Sequence, residues 1–259
     1  MLRPRIIPCL LVHKGGLVKT TRFREPRYVG DPLNAVRIFN EKQVDELIVL
    51  DIDAGTLKRE PDYELIGNLS RECRMPLCYG GGIRTPDQVE RIISLGVEKV
   101  AIGRSAVTEP WLVREASRRV GSQSIVVVMD VRKTSSSNDG YELYIVNGTI
   151  PANRHPVEFA MEAQRQGAGE ILVNSIDKDG TSQGYDLELI DKVREAVNIP
   201  ITALGGAGSH SDLSQLVKRH GLIGAAAGSL FVFKGKFRAV LIQYPGQQEK
   251  EAIVSGAAN

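Results

Sequence analysis

An α/β barrel of eight strand–helix units, assembled from two related halves, is the fold this 259-residue sequence predicts. Three observations predict it: eight short and almost uninterrupted apolar runs, an amphipathic stretch after each, and a second half that repeats the spacing of the first. Apolar runs without polar alternation imply a parallel sheet covered on both faces. Eight units in register favour closure into a (βα)8 TIM barrel over an open doubly wound sheet.

The first run, residues 6–12 (IIPCLLV), is followed by a Gly- and Arg-rich loop at 13–30. Helices are then expected at 31–42, 61–72, 87–95 and 111–120, alternating with strands at 47–50, 77–79 and 100–102. The second half opens with a strand at 125–129, and the loop at 133–151 contains NDGYELYIVNG, an Asp-Gly turn with a short hairpin. Helices at 156–166, 186–196 and 212–218 alternate with strands at 171–173, 201–203 and 224–227, and a last helix is expected near 236–243. Aligning Gly80 with Gly205 brings Gly81 onto Gly206, Asp87 onto Asp212, Gly96 onto Gly221, Ala101 onto Ala226 and Gly103 onto Gly228 without a gap. The reading is one domain over 1–259, with half-barrels at about 1–122 and 123–243 and a polar, flexible tail at about 244–259.

Composition narrows the function. Lys and Arg number 33 against 31 Asp and Glu, a net charge of +2, so neither a nucleic acid nor a membrane surface is an expected partner. No apolar run reaches the ~20 residues of a membrane helix, and the start MLRPRIIPCLLVHKG is too interrupted for a signal peptide, so a cytoplasmic location is expected. Cys9, Cys73 and Cys78 lack metal-ligand spacing and read as buried thiols in a reducing compartment.

Two glycine clusters, YGGGIRTPD and ALGGAGSHSD, end the third and seventh strands and open helices; AIGRSAV and AAAGSLF follow one strand later. Glycines alone make tight turns. Duplicated with matched spacing, they predict two sets of backbone amides for phosphate, and hence an elongated substrate with a phosphate at each end. Between them project Leu11, Asp51, Asp130 and either Asn174 or Asp177. Asp130 is the strongest candidate, because it ends the apolar strand IVVVMD, where a carboxylate is costly without a role. At the opposite mouth Arg5, Glu46, Lys99 and Glu170 each stand just before an apolar run, so four balanced charges can form a ring, which by itself reads as a stabilising plug.

The chain resembles the cyclase subunit of imidazole glycerol phosphate synthase over nearly its whole length, through RIIPCL, GLVKTTRF, DELIVLDI, YGGGIRTPD, VVVMDVRK, GAGEILVNSIDKDGTSQGYD and GGAG in order. The resemblance implies a bis-phosphorylated aminoimidazole-ribotide precursor, ammonia from a separate glutaminase subunit in a heterodimer, and a lyase reaction without metal or organic cofactor. It makes Asp130 the catalytic aspartate and Lys19 a first-loop lysine near the substrate. It places Gly81, Gly82, Gly103, Gly206, Gly228 and Ser229 in the phosphate loops; Asp51, Asp179 and Gly180 are further candidates around the substrate, and Arg104 would add a cation beside one phosphate. Arg5, Glu46, Lys99 and Glu170 become a gate for ammonia, and the barrel interior its conduit.

One departure stands out. The family has a second aspartate at the end of the first strand, where this chain has Leu11, the repeat partner of Asp130. A leucine transfers no proton, and a general acid/base contributes about 10²- to 10⁴-fold in rate. Gly103-Arg104 and Leu204 depart too, from a small polar pair and a small hydroxyl residue. Three functions are then in play: a cyclase, weakened and relying on Asp130 with Asp51, Asp177, His13 or a water; a paralogue passing ammonia to another acceptor, such as a surface-polysaccharide sugar that is amidinated; and a non-catalytic scaffold that activates the glutaminase.

Overall fold

Eight parallel strands close on themselves in the computed structural model, which describes residues 3–135 and 140–255. The chain begins with β1 (Arg5–His13), β2 (Gly16–Thr21), β3 (Arg24–Gly30), α1 (Pro32–Glu41), β4 (Leu47–Asp51) and α2 (Tyr63–Glu72). Then come β5 (Leu77–Gly80), α3 (Pro86–Ser94), β6 (Lys99–Ile102), α4 (Arg104–Thr108) and α5 (Trp111–Val120). The second half holds β7 (Ile125–Lys133), β8 (Tyr141–Ile145), β9 (Ile150–Pro151), α6 (Pro156–Arg165), β10 (Glu170–Ser175) and α7 (Leu187–Ala196). It ends with β11 (Ile201–Leu204), α8 (His210–His220), β12 (Gly224–Ala227), α9 (Ser229–Val232), β13 (Phe233–Lys234), β14 (Ala239–Val240) and α10 (Gln247–Val254).

The barrel is β1-β4-β5-β6-β7-β10-β11-β12, each strand parallel to the next. β12 returns to β1, with Arg5 opposite Gly224 and Pro8 opposite Ala227. Side chains alternate inward and outward along each strand. On β1, Ile6 and Leu10 join the large core under the helices. Ile7 and Cys9 join a separate inner cluster with Ile48, Cys78, Val126 and Leu172, against which Leu11 packs. Both faces are therefore apolar, which is why the strands read as continuous runs. Cys9 and Cys78 are buried in this interior as free thiols, and burial pushes the Cys9 thiol up to about 11.

Helix starts follow local polar chemistry. Asp31, Asp62 and Asp186 accept from the backbone amides of Asn34, Leu65 and Leu189, and capping boxes pair Thr85 with Gln88 and Ser209 with Asp212. The repeat extends to the backbone: Gly103 (φ −98°, ψ −96°) and Gly228 (φ −103°, ψ −73°) precede α4 and α9 in similar conformations. No described helix is long and apolar enough to cross a membrane.

Three expectations are corrected. Residues 13–30 are not merely a loop but carry the hairpin β2–β3, whose Leu17, Val18 and Val29 are buried. Residues 236–243, expected to be helical, hold part of a small hairpin instead. Gly235 (φ 72°) and Arg238 (φ 50°) turn the chain, and Leu241 N and Gln243 N donate to Val232 O and Phe231 O. The stretch from 244 onward, expected to be a flexible tail, is docked as far as it is described. Tyr244 Oη donates to Ile6 O at 2.8 Å, and Ile253 of α10 is fully buried against the core. The hairpin expected within 133–151 is present as β7–β8, with its Asp139 outside the described residues.

Because Ile253 fills a sealed position, Ile253→Ala should lower unfolding free energy by about 2–5 kcal/mol. Urea denaturation checks this, and an unchanged midpoint would mean that α10 does not stabilise the barrel.

Candidate functional site

Parallel closure brings the C-terminal ends of all eight barrel strands to one mouth, where a cavity of about 370 Å³ opens. Every residue expected around the substrate lines it: Lys19, Asp51, Gly81, Gly82, Gly103, Arg104, Asp130, Asp179, Gly180, Gly206, Gly228 and Ser229. Leu11 lines it too, continuing the apolar interior into the cavity floor.

Asp130 projects inward from β7, opposite Asn174 of β10 in the ladder, and accepts a hydrogen bond from Asn174 Nδ2 at 2.9 Å. Burial pushes the Asp130 carboxyl up to about 7; the Asn174 amide opposes the rise and nearby Asp179 adds to it. The group can therefore hold or release a proton near neutrality. Asp177 lies elsewhere: its Oδ2 accepts from Lys133 N at 2.7 Å, which ties the two strand ends together. His13 pairs with Asp53 at 2.7 Å and is likewise outside the cavity lining. Of the side chains weighed as stand-ins for a carboxylate at position 11, only Asp51 borders the cavity. Its Oδ1 accepts from Asp53 N at 2.8 Å and Ala54 N at 3.0 Å, so it serves its own turn.

That turn explains a glycine. Gly81 has φ 136°, and a Cβ on it would stand 2.6 Å from Asp51 O. Gly206 (φ 108°) is held as tightly against Gly184 O. The two glycine clusters thus present bare backbone on opposite sides of the mouth.

Lys19, on β2, is 5% exposed and donates from Nζ to Cys9 O. Burial pushes its ammonium below the usual lysine range, with Asp179 opposing. Gly228 makes room for it, since a Cβ there would lie 2.5 Å from Lys19 Nζ. The hairpin is held over the cavity by Asp179, whose Oδ2 accepts from Thr20 Oγ1 at 2.7 Å and Phe23 N at 3.1 Å. A second cover, β8, was missed as a source of site residues. Its Tyr144 faces Asp130 in the ladder and lines the cavity, and Asn147 Nδ2 reaches Ile52 O at 2.8 Å. The sequence signal for it is the apolar YELYIV after the loop glycine.

At the opposite mouth the four expected charges close into a ring. Arg5 pairs with Glu46 and, at 2.7 Å, with Glu170; Lys99 pairs with Glu46 at 2.9 Å and Glu170 at 2.8 Å. Thr202 Oγ1 donates to Glu170. Burial alone would raise the Glu170 carboxyl, but Arg5 and Lys99 hold it at about 2. Glu170 stands opposite Val126, four residues before Asp130, so about 13 Å of apolar barrel separates ring from carboxylate.

The family model described as "Histidine biosynthesis protein" matches residues 5–238. Among similar proteins, a putative imidazole glycerol phosphate synthase subunit hisF3 of Vibrio vulnificus is 52% identical over 97% of this chain and 96% of its own. A putative imidazole glycerol phosphate synthase subunit HisF of Leptospira borgpetersenii is 53% identical over 98% and 99%. An imidazole glycerol phosphate synthase subunit HisF of Lactococcus lactis is 42% identical over 89% of each chain.

The ring makes a signed prediction. Glu170 has a folded value near 2 against an ordinary 4.5, so its contribution to stability is complete above pH 4.5 and is lost as pH falls towards 2. Glu170→Gln should cost about 3 kcal/mol at pH 7 and progressively less below pH 4.5. Denaturation curves at several pH values test this; equal stabilities at pH 7 would refute it.

Proposed function

Since the chain belongs to the histidine biosynthesis protein family, we propose that its barrel is the cyclase-type subunit of an imidazole glycerol phosphate synthase pair, working in the cytoplasm with a glutaminase subunit. The observation that carries the reading is Asp130, a carboxyl near 7 placed between two glycine clusters at one mouth of a barrel whose other mouth is a closed ion ring. The glycine clusters would hold the two terminal phosphates of a bis-phosphorylated aminoimidazole-ribotide precursor through backbone amides. Arg104 adds a cation beside one of them.

In this reading the glutaminase docks at the ring. Neutral ammonia passes Arg5, Glu46, Lys99 and Glu170 and crosses the apolar interior to the cavity. Ammonia adds to a carbonyl carbon of the precursor, whose oxygen leaves as water to give an imine, and the Asp130 carboxylate takes the proton the new nitrogen must lose, with Asn174 holding it in place. Closing the imidazole ring and breaking the remaining carbon–nitrogen bond releases the second product, with Asp130 returning the proton. No metal or organic cofactor takes part in this scheme.

Leu11 supports a weakened cyclase. It packs with Cys9 and Leu50 on the interior face, so proton transfer rests on Asp130 without a matching carboxylate across the mouth. The same observation favours a second reading, in which the barrel passes ammonia to a different acceptor, such as a sugar destined for a surface polysaccharide.

With a glutaminase partner and the bis-phosphate precursor, ring closure should run about 10²- to 10⁴-fold below that of a two-carboxylate barrel. Asp130→Asn should abolish it and Leu11→Asp should raise it. The residual rate should fall as pH drops through about 7, where Asp130 loses its carboxylate form. A normal rate would overturn the weakening, and no turnover even with Leu11→Asp would favour the other acceptor or a non-catalytic scaffold.

Lys99→Ala should uncouple the pair, with glutamine hydrolysed but its ammonia lost to solvent. Unchanged coupling, measured as product formed per glutamate released, would remove the ring from the conduit.

A further inference from the structure

Three side chains of β7 and β8 form a row beside the cavity. Asp130 and Arg132 stand two residues apart on β7, so both point to the same face of the strand. Across the antiparallel ladder Asp130 pairs with Tyr144 of β8. Residues directly opposite in such a ladder share a face, with Cβ atoms about 5 Å apart. The Tyr144 side chain therefore stands next to the Asp130 carboxyl, and both line the cavity.

A cation fixes the plane of the Tyr144 ring. The Arg132 guanidinium lies over it, 4.4 Å from its centre, and Arg132 Nη2 donates to Gly148 O at 2.9 Å, which ties the stack to the turn after β8. Arg132 does not line the cavity, so it backs the ring from outside and leaves the opposite face to the interior. Tyr144 and Phe23 are the aromatic side chains of the lining among the described residues. Phe23 packs outward, against the turn: a Cβ on Gly148 would stand 3.1 Å from its Cδ2. The other neighbours of Asp130 on the wall, Val128 of the same strand and Asn174 opposite it on β10, offer no flat face of comparable size. The one broad aromatic surface beside the carboxyl thus belongs to Tyr144.

From this row we infer that Tyr144 is the platform on which the new imidazole ring lies as it closes. The inference rests on the cyclase reading proposed above and gives that site its group for ring recognition. In that reading Asp130 takes the proton from the nitrogen that enters the ring, so the ring forms within hydrogen-bond reach of Asp130 and hence against Tyr144. The precursor is open-chain at this point, and a flat aromatic face appears only as the ring closes. A flat wall therefore favours the closing ring over the open chain. The ring of Tyr144 carries this role and its hydroxyl does not, which separates a platform from a phenol that donates a proton.

Calorimetric titration of the full chain with imidazole glycerol phosphate and with glycerol phosphate tests this. The wild-type chain should bind imidazole glycerol phosphate at least about 10-fold more tightly. Tyr144→Leu should weaken imidazole glycerol phosphate about 10-fold and leave glycerol phosphate within about 2-fold, whereas Tyr144→Phe should keep both within about 2-fold of wild type. An unchanged thermal midpoint will show that each variant is folded, and the wild-type comparison holds whatever the stability of the variants. Equal wild-type affinities for the two ligands, no selective loss in Tyr144→Leu, or a Tyr144→Phe chain as weak as Tyr144→Leu would each overturn the platform while leaving Asp130 and the phosphate loops standing. Failure of both ligands to bind the wild-type chain would overturn the cyclase reading, and the platform with it.

Discussion

The hydrogen bonds between β12 and β1 turn a row of strands into a closed wall, and the rest of the molecule follows from that closure. Once the sheet is closed with all staves parallel, every strand start is at one mouth and every strand end at the other. Charges written singly before four distant strands become one ring. Glycine clusters far apart in sequence face each other across one cavity. Neither group exists as a site in an open sheet, where the strand ends would be strung along an edge rather than gathered round an axis.

Much of this was legible in the sequence because it depends on period and parity. Strands buried on both faces have no choice but to be apolar throughout, so residues 6–12 and 125–129 announce themselves. Parity also selects Asn174 over Asp177: Glu170, Leu172 and Asn174 share the inward face of β10, whereas Asp177 lies past the strand end. What escaped depends on contacts rather than pattern. The hairpin β2–β3 is rich in Arg, Gly and Pro and buries one edge only, so composition disguises it as a loop. α10 hides its helical character because Ile253 alone among its side chains is fully buried. The meeting of Arg27 with Arg238 over Phe233 has no local signature at all.

Leu11 shows how one position can change chemistry without changing architecture. It occupies an inward place on β1 that the duplication relates to Asp130 on β7. In the apolar interior a leucine costs nothing, whereas a carboxylate must be hydrogen-bonded or protonated. The second half accepts that cost at Asp130, with Asn174 as partner and a raised carboxyl as the sign of it. The first half carries no such cost at this place, and its polar side chains at the cavity stand elsewhere, among them Lys19 on the hairpin, Asp51 and Arg104. The two halves keep one backbone and have divided the electrostatics unequally.

The ion ring has a last implication, for selection by charge. Each of its two cations bridges both anions, so the circle is neutral, saturated and without a vacancy for a further ion. An ammonium ion approaching it meets neither net attraction nor a free carboxylate, and the dry interior beyond gives it no hydration. If the barrel is the ammonia conduit proposed above, only the neutral molecule would go on, and its proton would be left in the water outside. A conduit so built would fix the protonation state of its visitor by refusing passage to one form, without any residue along the axis having to titrate.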